Sequence, residues 1–236
     1  MKIRMAELNI DIQNRYPYTE RHCREFAAEF DKADITVAVS EADIDREIRA
    51  AEHPCSRGYA ESICVYREIA LQLPFFDAFV LHASVVECDG RAYAFAAPSG
   101  TGKSTHTALW LKVFGERARV INGDKPVLRF IDGRLYACGT PWRGKESWGC
   151  DARAPLAGLC FLERAAENRI VPLDDGEAVH RLFNQVLIPP EPTAATRFLD
   201  LLDRMIVTTP VYLLGCNMLP AAAEVAFAGM QKGENG

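Results

Sequence analysis

Residues 92–104 read AYAFAAPSGTGKS, an apolar stretch that runs directly into a loop with two glycines and ends in Lys-Ser. This agrees with the phosphate-binding pattern G-x-x-x-x-G-K-[ST] except at its first position, where Ala97 replaces glycine. Such a loop needs a strand before it and a helix after it, because the loop amides and the positive helix end must converge on one phosphate group. The sequence predicts both, with a strand over Ala92–Ala97 and a helix over Lys103–Phe114.

The loop predicts a bound nucleoside triphosphate, namely ATP with Mg²⁺. Gly100 and Gly102 allow the backbone to wrap closely around an anion, where a β-carbon would intrude. We expect Lys103 to reach the β- and γ-phosphates and the Ser104 hydroxyl to coordinate Mg²⁺. The predicted nucleotide-binding residues are Ala97, Pro98, Ser99, Gly100, Thr101, Gly102, Lys103, Ser104 and Thr105.

Outward from this loop, hydrophobic periodicity and turn residues predict alternating strands and helices. A strand over Ala78–Glu87 is expected to form a hairpin with the strand before the loop. Further predicted strands cover residues 2–13, 35–39, 119–122, 127–131, 134–138, 156–162, 169–171 and 211–214. Further predicted helices cover residues 19–30, 40–51, 59–73, 175–186, 194–205 and 221–230. The pattern indicates an α/β fold: a nucleotide-binding core with a mixed sheet over residues 77–236, and an N-terminal α+β extension over residues 1–76 packed on it.

Composition limits the classes of partner. The 236 residues are 49% hydrophobic and 25% charged, as in an ordinary globular protein. A formal net charge of −5 and the lack of a Lys/Arg run argue against a nucleic-acid partner. No apolar run approaches the roughly 20 residues of a membrane-spanning helix, and no signal peptide is evident. We therefore expect a cytoplasmic protein with no membrane partner.

The eight cysteines are scattered, and no Cys-x-x-Cys pair occurs. The sequence therefore signals neither a zinc site nor a redox motif. Reduced, mostly buried thiols are expected.

Two residues outside the loop are candidates for the reacting centre. Asp124 follows the short strand 119–122, where phosphate-loop proteins place the acidic residue that holds Mg²⁺ or its water. The alternative is that Gly-Asp-Lys-Pro simply forms a turn. His82 lies in the strand expected to pair with the one feeding the loop, so it could project beside the phosphates or be a satisfied core residue. His106, on the helix after the loop, is expected to pack or to face solvent.

The segment 139–149 is rich in glycine, tryptophan and charge, and it predicts a loop. Arg143 and Lys145 could place positive charge on transferring phosphoryl oxygens. Trp142 and Trp148 could form a wall for the acceptor or the base. The alternative is a solvated connection with aromatic anchors.

Three features together resemble the superfamily of HPr kinase/phosphorylase and ATP-dependent phosphoenolpyruvate carboxykinase. They are the run SGTGKST over residues 99–105, a histidine 21 positions before Lys103, and the Gly-Asp step at residues 123–124. The resemblance to small HPr-kinase-like bacterial proteins covers nearly the whole chain, including residues 97–107, 122–126 and 139–145. The likeness to the two characterised families is confined to the nucleotide core.

The resemblance implies a catalytic set and a metal site. His82 would contact metal or γ-phosphate, and Asp124 would coordinate metal and take the acceptor's proton. The chain departs from HPr kinase at Thr105, where that family has glutamate and the carboxykinases have threonine. The C-terminal signature linked to phosphorolysis was not found. The predicted catalytic residues are Asp124, Lys103, His82, Arg143 and Lys145. The predicted metal ligands are Ser104, Asp124 and His82.

The function predicted on these grounds is an ATP-dependent phosphotransferase. It would move the γ-phosphoryl group of Mg-ATP to a hydroxyl on a protein, a peptide or a small molecule. Three alternatives stay open: a carboxykinase-like decarboxylating enzyme, a noncatalytic ATP-binding regulatory module, and an ATPase that couples hydrolysis to motion. A homo-oligomer also stays open.

Overall fold

The strand before the glycine-rich loop lies inside a mixed α/β structure. The computed structural model describes residues 1–98 and 100–232. Its strands are β1 (Lys2–Met5), β2 (Leu8–Gln13), β3 (Ile35–Ala38), β4 (Ala78–Val80), β5 (Ser84–Cys88), β6 (Arg91–Ala96), β7 (Ala118–Asn122), β8 (Val127–Ile131), β9 (Arg134–Cys138), β10 (Arg153–Arg164), β11 (Arg169–Pro172) and β12 (Val211–Cys216). Its α-helices are α1 (Pro17–His22), α2 (Glu41–Ala50), α3 (Arg57–Gln72), α4 (Lys103–Phe114), α5 (Asp175–Leu182), α6 (Pro192–Thr208) and α7 (Ala221–Lys232).

The larger sheet has nine strands and both parallel and antiparallel pairs. Its main path runs β4-β8-β9-β10-β6-β5-β7, and β12 pairs with both β10 and β11. The twelve-residue β10 joins two parts: its first residues pair antiparallel with β9, and its later residues pair in parallel with β6 and β12. The carboxyl ends of β6, β10 and β12 therefore meet at one edge of the sheet.

Strand β6 is buried on both faces. Ala92, Ala94 and Ala96 point into an apolar cluster that also contains residues of α5 and α6. Tyr93 and Phe95 point into a second cluster, with residues of α4 and α7. The alternation follows from the two-residue repeat of a strand. Helices on both sides thus fix the position of the loop that leaves β6.

The N-terminal residues form their own three-stranded sheet, in which β2 pairs antiparallel with β1 and parallel with β3. Its apolar cluster includes side chains from α3 and also Val80, Val127 and Trp142 of the remaining chain. The N-terminal extension therefore packs against β4, β8 and the segment after β9. The boundary at residue 76 stays a prediction.

Several elements differ from the sequence-based expectation near the N-terminus. The single strand expected over residues 2–13 is a hairpin, because Ala6 and Glu7 both adopt positive φ (51° and 60°) in a two-residue turn. Such turns usually carry Asn-Gly or Asp-Gly, so Ala-Glu gave no signal. The helix expected over residues 19–30 is shorter: α1 ends at His22, and a 3₁₀ turn covers Arg24–Phe26.

Elsewhere the predicted elements are found with shifted ends. Helix α2 begins at the predicted capping box of Ser40 and Asp43. Helix α3 begins two residues earlier than expected, at a Ser56 cap, and Pro74 lies within a 3₁₀ turn that continues to Phe76. Helix α5 is shorter than expected and α6 is longer. The hairpin of β5 and β6 across Asp89-Gly90 is confirmed.

Two global features concern the membrane and the thiols. No helix in the described ranges is both long and apolar enough to cross a bilayer. All eight cysteines are free thiols, and five are buried. Most of the cysteines are therefore buried, as expected, and their reduced state stays a prediction.

Candidate functional site

The glycine-rich loop, residues 97–104, connects the end of β6 to the first turn of α4. Gly100 and Gly102 have φ of +77° and +123°, which side-chain-bearing residues rarely adopt. The amide of His106 donates to the carbonyl of Gly102 at 2.9 Å and so begins the helix. Ser99 lies outside the described residues. The loop therefore delivers the amino end of α4, with its unpaired amides and positive dipole, to the sheet edge.

Arg164 fastens the loop from its outer side. At the end of β10, it donates through Nη2 to the carbonyl of Gly100 at 2.6 Å and through Nε to that of Thr101 at 3.4 Å. In a trans peptide the C=O and the following N–H point in opposite directions. The amide N–H of Gly102 therefore points away from Arg164 and toward the other side of the loop. An anion bound on that side could accept a hydrogen bond from it.

Lys103 lies at the centre of the site. Its Nζ donates to the carbonyl of Ala97 at 2.9 Å and lies 3.3 Å from Nε2 of His82. Burial lowers the pKa of Lys103, the carboxylate of Asp124 opposes that shift, and the neighbouring ammonium of Lys125 adds to it. A bound phosphate would place negative charge beside this ammonium. It would thereby stabilise the charged form of Lys103, which burial disfavours.

His82 is not in a continuous strand, as the sequence suggested, but in the break between β4 and β5. The two strands have different partners, because β4 pairs with β8 whereas β5 pairs with β6 and β7. The break is held by two amides: that of His82 donates to Gln185 at 2.7 Å, and that of Ala83 donates to the carbonyl of Asp124 at 3.1 Å. This bend directs the imidazole toward the glycine-rich loop.

His82 and Asp124 are in direct contact. Nε2 of His82 lies 3.1 Å from Oδ1 of Asp124, and each side chain is 30% exposed. One ring nitrogen cannot donate to Asp124 and accept from Lys103 at the same time, so only one of the two contacts is a hydrogen bond in a given tautomer. The three side chains form a continuous chain of polar groups.

The backbone turn that presents Asp124 is built by Asn122, which the sequence analysis did not single out. Its buried side-chain oxygen accepts from the amides of Asp124 and Lys125 at 2.8 and 2.7 Å. Its side-chain nitrogen donates to Oγ1 of Thr140 at 2.9 Å. The signal was the Asn at the first position of a turn, where its side chain mimics a backbone acceptor.

Asp124 is a carboxylate held among cations. Burial alone would raise its pKa, but the hydrogen bond from His82 and the charges of Lys125, His82 and Lys103 outweigh burial, so the pKa is lowered. Lys125, which the sequence analysis also missed, places Nζ 3.6 Å from Oδ2 of Asp124. Burial lowers the pKa of Lys125 against the effect of this carboxylate.

The loop over residues 139–149 closes the opposite side of the cleft. Gly144 has φ of +76°, and a Cβ added there would meet Cβ of Asp124 at 2.9 Å. The close approach brings the next residues, Lys145 and Glu146, to the cleft wall. Within the described chain no carboxylate pairs with the ammonium of Lys145. Of the two predicted cations on this loop, Lys145 is the one brought to the site.

Arg143 and the tryptophans of this loop point elsewhere. The guanidinium of Arg143 donates to Glu25 at 2.6 Å and does not line the cleft. Trp142 is 6% exposed and donates to Oγ of Ser62 at 3.1 Å. The carbonyl of Trp148 accepts from the amide of Gly123, and its ring does not line the cleft. Trp142 therefore anchors this segment to the N-terminal extension. This agrees with the alternative interpretation, a connection with aromatic anchors, rather than with a wall for the acceptor or the base.

His106 packs inside the protein, as expected. It is 2% exposed, its Nε2 accepts from the indole of Trp110 at 3.0 Å, and its ring lies edge-on to Phe95. Burial lowers the pKa of His106 to about 4, so the side chain is neutral at physiological pH. His106 therefore packs α4 against Phe95 of β6 and does not line the cleft.

Together these segments enclose a cleft of about 560 Å³. Its walls are His82, Gly100, Gly102, Lys103, Ser104, Thr105, Gly123, Asp124, Gly144, Lys145 and Glu146. Two larger surface cavities, of about 640 and 680 Å³, lie away from the loop. We take the smaller cleft as the candidate site, because among these three cavities of the described chain it is the one where a helix amino end and several titratable groups converge.

The cleft walls supply oxygen ligands suited to Mg²⁺. The hydroxyl of Ser104 and the carboxylate of Asp124 are hard donors, as this ion prefers, and Mg²⁺ takes its remaining ligands from water and phosphate. The imidazole of His82 suits softer metals better. Within residues 1–98 and 100–232 there is no cluster of three or more His, Cys, Asp or Glu that could hold a metal.

Comparisons with known proteins give a remote structural likeness and no likeness in sequence. No family model matches the sequence, and no curated protein matches it. Among solved structures, the chain is similar to the HPr(Ser) kinase/phosphatase from Coxiella burnetii, with 14% identity and a TM-score of 0.40. That match covers 66% of this chain and 99% of the other.

Proposed function

We propose that this chain binds Mg-ATP in the cleft and transfers its γ-phosphoryl group to a hydroxyl on a protein, a peptide or a small molecule. One observation carries the proposal. Lys103, His82 and Asp124 form a chain of contacts at 3.3 and 3.1 Å beside the amino end of α4, where a glycine-rich loop leaves a buried strand. A helix amino end, an ammonium and a carboxylate therefore line one cleft, which supports binding and transfer of a phosphoryl group.

The glycine-rich loop and Lys103 would hold the triphosphate. Amides at the start of α4 and the ammonium of Lys103 favour the polyphosphate, and the Ser104 hydroxyl is an oxygen ligand for its metal ion. Mg²⁺, when bound with the nucleotide, neutralises charge on the phosphoryl oxygens. In phosphoryl transfer, positioning and charge neutralisation supply most of the rate enhancement.

Asp124 would orient the acceptor. Its lowered pKa keeps it ionised at neutral pH, so it accepts a hydrogen bond from the incoming hydroxyl. As the new P–O bond forms, the hydroxyl proton passes to this carboxylate, and the bond to ADP breaks with its electron pair on the leaving oxygen. His82 would fix the carboxylate through its contact at 3.1 Å and would face the terminal phosphate.

Lys145 would stabilise the transferring group from the opposite wall. Lys145 is exposed, lines the cleft and has no ion pair among the described residues, so its ammonium would be free to meet the charge that develops on the phosphoryl oxygens. Arg143, paired with Glu25 outside the cleft, serves to hold the loop that carries Lys145.

The test is a binding and labelling experiment on the purified chain. Calorimetric titration should show affinity for ATP that depends on Mg²⁺, and incubation with γ-labelled ATP and a cell extract should label a hydroxyl-bearing acceptor. Absence of magnesium-dependent affinity for every purine triphosphate would overturn the proposal. Formation of phosphoenolpyruvate from oxaloacetate and ATP would show that the chain is a decarboxylating enzyme instead of a hydroxyl phosphotransferase. Tight binding without any labelled product would leave only a regulatory module.

A further inference from the structure

Two exposed apolar side chains stand on a turn at the same sheet edge as the glycine-rich loop. Met218 is 77% exposed and Leu219 is 62% exposed, and both lie on residues 217–220, between β12 and α7. Neither contributes to the folded core. Single exposed apolar residues are common. An adjacent pair that leaves its apolar surface in water, on a turn at the carboxyl ends of parallel strands, suggests that a ligand covers it.

The sheet register places this turn beside the loop. Ala96 at the end of β6 is aligned with Phe161 of β10, which is aligned with Leu213 of β12. Gly100 lies four residues after Ala96, and Met218 lies five residues after Leu213. The two turns are separated laterally by two strand spacings, about 10 Å. Both project from the carboxyl ends of parallel strands, where α/β sheets bind ligands.

The helices that follow the two turns lie on the same face of the sheet. Trp110 of α4 and Phe227 of α7 have ring centroids 5.7 Å apart. The two strand-to-helix turns therefore open toward the same side. Between them lies Arg164, which is aligned with Cys216 on one side and donates to the carbonyl of Gly100 on the other. The surface from the loop to Met218 is thus continuous.

The turn is held rigidly in this exposed position. The amide of Asn217 donates to the Asn168 side chain at 2.9 Å, and its own side-chain nitrogen donates to the carbonyl of Ala166 at 2.9 Å. Its side-chain oxygen accepts from the amide of Leu219 at 3.0 Å. Because the backbone of the turn is already ordered, binding at Met218 and Leu219 needs no further ordering of that backbone, which favours a preorganised contact.

We propose that the nucleobase of the bound nucleotide lies against Met218 and Leu219. This subsite rests on the proposed function and assigns the base-binding part of the same site. A triphosphate held by the glycine-rich loop extends over Arg164, so that the flat apolar face of its base covers the two side chains. The polarisable thioether of methionine suits contact with an aromatic ring.

The test compares a ligand that has a base with one that lacks it. Magnesium ATP and magnesium tripolyphosphate are titrated against the unaltered chain and against the double variant Met218→Ser/Leu219→Ser. We expect ATP affinity to fall about tenfold in the variant, with tripolyphosphate affinity unchanged. Val207→Ser, which removes a 76% exposed valine from the end of α6, is the matched control and should alter neither affinity.

A spectroscopic readout tests the contact directly. With ¹³C-methyl methionine, the chain gives five methyl signals, and Met218→Ser identifies one of them. Saturating ATP should shift the Met218 signal through the ring current of the base, and tripolyphosphate should not. An unmoved Met218 signal, unchanged ATP affinity in the double variant, or equal loss of both ligands would overturn the subsite. If the unaltered chain binds neither ligand, the proposed function itself fails, which is a distinct outcome.

Discussion

The guanidinium of Arg143 lies 2.6 Å from the carboxylate of Glu25, so an ion pair joins the N-terminal extension to the loop that carries Lys145. The preceding residue, Trp142, is anchored to Ser62 of α3 by its indole. Two consecutive residues of this loop are therefore held by the extension. We infer that the extension fixes the position of Lys145 over the cleft.

Glu25→Gln should reduce phosphoryl transfer more than stability. The pair is partly exposed, so its loss should lower the free energy of unfolding by less than about 1 kcal/mol. A less ordered Lys145 should lower kcat about tenfold, because misplacement of a charged group by 1 Å is costly. Steady-state kinetics and urea unfolding measure the two effects. Glu20→Gln, an exposed glutamate on α1, is the control, and an unchanged kcat in Glu25→Gln would contradict the inference.

Lys103→Ala should weaken ATP binding strongly. The ammonium is the only cation that contacts the loop carbonyl of Ala97 within the described structure, and its loss should weaken affinity about a hundredfold. Calorimetry with Mg-ATP gives the measurement. Lys112→Ala, at the exposed far end of the same helix, should bind ATP normally. Equal affinity of the two variants would show that Lys103 does not hold phosphate.

Asp124→Asn should separate binding from chemistry. The amide keeps the size of the carboxylate but cannot take the acceptor's proton, so transfer should fall about a thousandfold while ATP affinity changes little. Single-turnover transfer from γ-labelled ATP, together with calorimetry, tests this. Asp132→Asn, in the exposed β8–β9 turn, is the matched control. Transfer at the rate of the unaltered chain would show that the carboxylate has another role.

Asn122→Ala should destabilise the protein. The variant loses the acceptor for two backbone amides and the donor to Thr140, which should cost about 2–4 kcal/mol of unfolding free energy. Asn122→Asp keeps the acceptor and loses only the donor, so it should cost less. Urea unfolding of the three proteins provides the ranking. Equal stability of Asn122→Ala and the unaltered chain would mean that the turn forms without this side chain.

His106 should make stability depend on pH. Burial lowers its folded-state pKa to about 4, while an unfolded histidine titrates near its ordinary pKa of about 6.5. The unfolded chain therefore binds a proton first as the pH falls, and the contribution to stability is lost from about pH 6.5 down to about pH 4. Between pH 7 and pH 5 this amounts to about 2 kcal/mol. His106→Gln, which can still accept from Trp110, should show a correspondingly smaller decrease in urea unfolding, and an identical decrease would exclude this cause.

The local elements around the glycine-rich loop could be predicted because their signals are short-range. Helix α4 has the predicted bounds, since Gly102 and Gly115 mark its ends. The hairpin across Asp89-Gly90 follows from turn residues that tolerate positive φ. The turn at Ala6-Glu7 and the break at His82 had no such residues. The turn at Ala6-Glu7 is imposed by the antiparallel pairing of β1 with β2, and the break at His82 by the different partners of β4 and β5.

The sequence by itself determined that a glycine turn, a lysine and a serine follow a buried strand, and that Asp124 follows a later strand. Only the tertiary structure decided that Lys145 faces the cleft while Arg143 is turned to Glu25, and that Lys125 and Asn122 belong to the site. The physical reason is the distance along the chain over which each kind of interaction acts. Backbone propensities and turn chemistry act between neighbours in the chain, whereas the direction of a loop side chain is set by distant partners such as Glu25 and Ser62, which pair with it only after the N-terminal extension has packed against the sheet.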